Sequence, residues 1–83
     1  METQKSAEIL KRITFNPDIF NGKPIIRNLR FKVADVLQLF ASGMSHEQIL
    51  EEHPLLETDD LTACLLFATL AVSDSKSAEL YAA

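Results

Sequence analysis

A mainly α-helical fold, three helices preceded by a small antiparallel β-element, follows from three features of the sequence. Short alternating or β-branched segments occupy the stretch before residue 32, the apolar period becomes helical at Val33, and two later apolar runs each open on capping residues. Eighty-three residues with two Gly and three Pro make one small domain. The expected layout is an N-terminal arm over residues 1–11, a globular unit over 12–72 and a tail over 73–83.

In chain order, the polar stretch 1–11 ends in Ala7-Glu-Ile-Leu-Lys11, enough for a frayed helical turn or two. Arg12 to Phe15 alternates, with Ile13 and Phe15 on one face, and reads as a short half-buried strand. Asn16-Pro17-Asp18 ends it, because proline lacks the N–H that a ladder needs, and Asn21-Gly22 adds a second turn signal. A second extended segment starts at Pro24-Ile-Ile-Arg27 and is expected to continue through Phe31. Two such strands can pair only with helices behind them.

Val33, Val36, Leu37, Phe40 and Met44 recur at helical spacing, with Asp35, Gln38 and Ser42 opposite, so residues 33–42 form an amphipathic helix that Gly43 ends. Ser45 followed by Gln48 is a capping box. The short helix it opens, 46–52, stops before Pro54, which pushes the preceding residue out of the helical region. Thr58-Asp-Asp60 offers a cap and two carboxylates at the positive end of a third helix, 59–72. Between Leu61 and Val72 only Thr62 and Thr69 are polar, so this helix either sits centrally in the core or also meets another subunit. One cysteine cannot form an internal disulfide, and so small a core gains most from a partner chain. A homodimer is therefore expected, with Leu61, Leu65, Leu66, Phe67 and Leu70 at its interface.

Charge is unevenly spread. Residues 1–33 carry a net +4 and residues 34–83 a net −8. Lys23, Arg27, Arg30 and Lys32 concentrate four of the eight basic residues in ten positions. With residues 25–31 extended, Arg27 and Phe31 share one face, and Arg30 and Lys32 the other. Such a cluster either binds phosphate or pairs with the acidic half, within the chain or across a dimer.

Other chemistry finds little support. His46-Glu47 opens like a zinc-protease helix, but Leu50 stands where the second histidine belongs, and Cys64 lies in the apolar helix as a small hydrophobe. Gly22-Lys23 lacks the glycine-rich loop and hydroxyl of a phosphate-binding loop. Glu51-Glu52 and Asp59-Asp60 read as solvated helix ends, since consecutive helical residues point apart. No catalytic residue, metal or cofactor is expected. Without an apolar leader or membrane-length run, the expected location is the cytoplasm.

The order of Asn16-Pro17-Asp18, Asn21-Gly22-Lys23-Pro24-Ile25-Ile26-Arg27, the amphipathic helix, Gly43-Met44-Ser45 and Glu51-Glu52-His53-Pro54 resembles the bacterial family called domain of unknown function 433. The likeness runs from Ile13 to Ala71. Where the family usually has Gly-Thr-Arg, this chain has Asn28-Leu29-Arg30, and Asn28 suits the left-handed turn that glycine would make. The resemblance implies a helix-turn-helix or homeodomain-like three-helix unit. It also implies, for some members, an antitoxin that binds a PIN-like ribonuclease toxin and its own operator, with Lys23, Arg27 and Arg30 as the functional stretch. Helix 59–72 carries no Lys or Arg, so any DNA contact falls to the basic segment 23–32, presented as a ribbon. The alternative is a structural homodimer with no nucleic-acid role.

Overall fold

The computed structural model describes residues 3–73. It contains α1 (Thr3–Leu10), β1 (Ile13–Thr14), a 3-10 turn (Phe20–Gly22), β2 (Ile25–Ile26), α2 (Val33–Ala41), α3 (His46–Glu52) and α4 (Thr58–Ser73). The tail expected over 73–83 lies, beyond Ser73, outside the described residues. The fold is mainly helical with a small antiparallel sheet, as the sequence predicts.

α4 is the hub, packed against α1, β1, α2 and α3. Its Leu61, Ala63 and Cys64 are fully buried, together with Ile26 of the sheet, Val36 of α2 and Ile49 of α3. The stretch expected to be an arm instead forms α1 over residues 3–10, and Ile9 joins the core. The reason is the exposed apolar surface of α4 beside it: a helix too short to persist alone gains its stability by packing.

β1 and β2 pair antiparallel, Ile13 opposite Ile26 and Thr14 opposite Ile25. Both strands are shorter than expected. After Thr14 the chain turns: the Asn16 side-chain oxygen accepts from the Asp18 N–H at 2.9 Å, and the Asn16 carbonyl accepts from the Ile19 N–H at 2.9 Å. Phe15 therefore does not share the buried face of Ile13. It is 60% exposed and rests near the Phe67 ring, with ring centres 6.1 Å apart.

β2 likewise does not run on to Phe31. Arg27 and Asn28 take φ of 45° and 57°, and the Leu29 N–H donates to the Ile26 carbonyl at 2.7 Å. This left-handed turn reverses the chain so that Lys32 returns opposite Ile25. The alternation of faces expected across 27–32 is lost. Asn28 behaves as its chemistry suggests, since Asn enters the left-handed region more easily than most residues. Its N–H donates to the Thr14 hydroxyl at 2.8 Å, and its side-chain oxygen accepts from Asn16 at 2.9 Å.

The two middle helices are bounded as their capping residues dictate. Gly43, at φ 99°, donates its N–H to the Phe40 carbonyl at 2.9 Å, and the Met44 N–H donates to the Leu39 carbonyl at 3.2 Å. That pair of bonds is the glycine-terminated end in which the left-handed residue lets the chain satisfy free carbonyls. Ser45 then caps α3 reciprocally: its hydroxyl accepts from the Gln48 N–H at 3.2 Å, and the Gln48 amide oxygen accepts from the Ser45 N–H at 2.8 Å. Replacement of Ser45 by Ala should lower the unfolding free energy by about 1 kcal/mol, measured by urea denaturation, with no change in the cooperativity of the transition.

Candidate functional site

The first turn of α4 does not start as expected. Thr58 makes no side-chain cap; Glu57 precedes the helix, and its carbonyl accepts from the N–H groups of Asp60 at 2.9 Å and Leu61 at 3.4 Å. The Asp60 carboxylate reaches back to the Glu57 N–H at 2.8 Å. Asp60 is also 0% exposed, so it is not the solvated helix end that the sequence suggests.

A buried carboxylate is costly unless every lone pair is used. Here all are. One Asp60 oxygen accepts from Arg12 Nη1 at 3.0 Å and Arg27 Nε at 3.0 Å. The other accepts from Arg27 Nη2 at 2.8 Å and from the Glu57 N–H. Burial by itself pushes the Asp60 carboxyl up, but the hydrogen bonds from Arg27, the Glu57 backbone and Arg12 outweigh it and hold the group below the ordinary carboxylate value. Arg12 also meets Glu57 at 2.7 Å, and Arg27 Nη2 donates to the Leu55 carbonyl at 2.8 Å. The left-handed Arg27 is thus held from both ends, its own N–H donating to the Arg12 carbonyl at 2.7 Å. A strained backbone persists where the surroundings over-determine it.

The network divides the basic cluster. Arg27 is committed to Asp60 and is not a free cation. Lys23 is exposed, and Lys32 and Arg30 lie over the ring of Phe20, with Lys32 Nζ 5.0 Å and the Arg30 guanidinium carbon 6.0 Å from its centre. Among the described residues, none of these three has a carboxylate within 4 Å. Among the described residues, then, the acidic half neutralises Arg12 and Arg27 and leaves the exposed Lys23 and Arg30 and the half-buried Lys32 without a carboxylate partner. Arg30 also lines a cleft of about 220 Å³ with Phe31, Asp35, Leu39 and His53.

The residues expected at a dimer interface are divided too. Leu61 is 0% exposed and belongs to the core of its own chain, because the first half of α4 is enclosed by the other elements. Leu65 and Leu70 are 38% and 53% exposed, whereas Leu66 and Phe67 pack partly against the core. Leu66 and Leu70 also line an apolar groove of about 240 Å³ with Ser6, Ala7, Leu10 and Thr69, between α1 and α4.

Among the described residues no group of three or more potential metal ligands converges. Burial pushes the Cys64 thiol up to about 12, with the Asp60 charge adding to the effect, so it stays protonated as a small apolar group. No helix among the described residues is long and apolar enough to cross a membrane. Sequence reasoning missed Arg12 and Asp60. The available signal was an acid in the first turn of an otherwise apolar helix, in a chain whose arginines lie far away in sequence.

Residues 13–68 match the family described as protein of unknown function (DUF433), and the chain belongs to it. The likeness expected from Ile13 to Ala71 therefore falls on the same region. A similar protein is the uncharacterized protein y4eO of Sinorhizobium fredii (strain NBRC 101917 / NGR234), 36% identical over 56 residues, which are 68% of this chain and 25% of that protein. The chain spans about a quarter of that relative. No solved structure matches. Arg12 lies one residue before the matched region, whereas Arg27 and Asp60 lie within it.

The depressed Asp60 value fixes the sign of the acid response. The network stabilises the fold fully above the unfolded carboxylate value, near pH 4, and that stability is lost as pH falls through the lower folded value. Asp60→Asn should cost about 3 kcal/mol, the low end for breaking a buried ion pair because both guanidinium groups reach water. In urea titrations at several pH values, the variant should also lose part of the acid dependence below about pH 4.

Proposed function

We propose that the chain is a small regulatory binding module that works as a homodimer, antitoxin-like, with the second half of α4 as the contact between copies. The observation that carries this reading is the uncharged, outward-facing end of α4. From Leu61 to Val72 no residue is charged, and Leu65, Leu70 and Val72 are exposed. A two-fold contact sets residue i of one copy against residue j of the other and j against i, and an uncharged apolar face meets that requirement with no charge left to be paired. Phe15, exposed beside Phe67, is a further uncovered apolar side chain near α4.

The regulatory part of the reading comes from the family resemblance, with a PIN-like ribonuclease toxin as the protein partner and the cytoplasm as the location. That the same unit recurs within a longer relative suits a binding module. Nucleic-acid contact falls to Lys23, Arg30 and Lys32, because Arg27 is engaged by Asp60. Helical readout is disfavoured: α3 presents Glu47, Glu51 and Glu52, and residues 58–73 contain no Lys or Arg. The alternative reading keeps the dimer and drops nucleic acid.

Light scattering coupled to gel filtration tests the dimer. The wild type should elute with twice the 9.3 kDa mass of one chain. The double variant Leu65→Glu, Leu70→Glu should be monomeric with an unchanged far-ultraviolet spectrum. A wild type that stays monomeric at about 100 μM, where a contact of standard size is saturated, overturns the reading. Copurification with a tagged chain from its native host tests the antitoxin role, which requires a ribonuclease-like protein in stoichiometric amount.

A further inference from the structure

We infer that the turn carrying Phe20, together with Arg30 and Lys32, is a binding site for single-stranded nucleic acid, with a base stacked on Phe20 and neighbouring phosphates on the two cations. The inference rests on the reading of Lys23, Arg30 and Lys32 as nucleic-acid-facing and narrows it to strands whose bases are unpaired. It is independent of the α4 contact.

Three observations meet at this patch. Phe20, Asn21 and Gly22 are consecutively left-handed, at φ 50°, 56° and 80°. Gly22 takes this conformation freely and Asn21 readily, but a bulky aromatic there is an outlier. The turn leaves the ring 38% exposed rather than in the core. Second, Lys32 Nζ and the Arg30 guanidinium carbon lie 5.0 Å and 6.0 Å from the ring centre. Third, these cations have no ion-pair partner among the described residues, although the same chain supplies carboxylates to Arg12 and Arg27.

An exposed aromatic ring flanked by unpaired cations is the arrangement that single-strand binders use, the ring for a base and the cations for the backbone. A duplex offers its phosphates to such a patch but keeps its base faces stacked internally, so the ring adds nothing to duplex binding. The cation–π contacts do not block the site. At an exposed position they are weaker than base stacking, so an arriving base displaces Lys32 from the ring and frees its ammonium for phosphate. Lys23 follows the turn directly, its N–H donating to the Phe20 carbonyl at 3.1 Å, and supplies a further exposed cation. Through Arg30 the platform adjoins the cleft walled by Phe31 and Leu39.

Fluorescence anisotropy with a labelled oligothymidylate of about 12 nucleotides, against a duplex of equal length at about 50 mM salt, tests the assignment. The single strand should bind more tightly than the duplex, and added salt should weaken it. Phe20→Asn, which suits the left-handed backbone, should lower affinity about tenfold without altering the salt slope, and Phe20→Trp should restore it. Arg30→Gln and Lys32→Gln should each reduce the slope by about 0.7. Far-ultraviolet spectra report that each variant is folded. Equal binding by Phe20→Asn and wild type overturns the stacking role. A duplex held as tightly as the single strand overturns the single-strand assignment while leaving nucleic-acid contact standing. Binding of neither removes both.

Discussion

The fold turns on one carboxylate. Asp60 lies at the start of the helix around which the other elements pack, and its two oxygens gather Arg12 from the segment before β1, Arg27 from the turn after β2, and the backbone that leads into α4. Each partner comes from a different part of the chain, so one buried charge ties the small sheet to the helical unit. A two-residue pair of strands has little stability of its own. Its attachment comes from these ion pairs and from Ile13 and Ile26 in the core.

A buried ion pair is not in general a large source of stability, since desolvation consumes much of the attraction. What this arrangement supplies is position. The carboxylate is fully coordinated by donors, and no buried side-chain polar atom among the described residues lacks a partner. An apolar residue at 60 would leave Arg12, Arg27 and the Glu57 N–H without their acceptor and would not specify where Arg27 goes. With Arg27 anchored, the left-handed turn at 27–28 follows, and with it the return of Arg30 and Lys32 to the ring of Phe20. The interaction that organises the core thus also sets the outward face of the basic segment.

The same constraint sorts the charges by role. Arg12 and Arg27 answer the acidic start of α4, while Lys23, Arg30 and Lys32 are left to the surface, though all five belong to the same basic half. α4 is divided along its length in a similar way. Its first half is enclosed by strands and helices, and its second half lies against α1 and leaves Leu70 and Val72 exposed. The molecule therefore presents two surfaces of different chemistry, one cationic and aromatic, the other apolar and uncharged.

The sequence by itself determined whatever depends on neighbours in the chain. Helical spacing from Val33, the glycine end at Gly43, the reciprocal cap of Ser45 and Gln48, the stop before Pro54 and the left-handed tolerance of Asn28 are local matters, and each stands in the structure as the residues suggest. Family membership was legible for a related reason, since the resemblance rested on short contiguous stretches such as Gly22 to Arg27, which lie within the matched residues 13–68. Tertiary structure alone decided the rest. Asp60 is separated from Arg27 by 33 positions and from Arg12 by 48, so nothing in either segment reveals the partner, and Asp59-Asp60 looks like any acidic helix start. Phe15 and Leu61 exchanged expected roles because alternation and apolarity say which residues can be buried, not which ones the packed elements will cover. Charge composition counted the cations; only long-range pairing, governed by which donors reach a desolvated carboxylate, determined which of them have a carboxylate partner among the described residues.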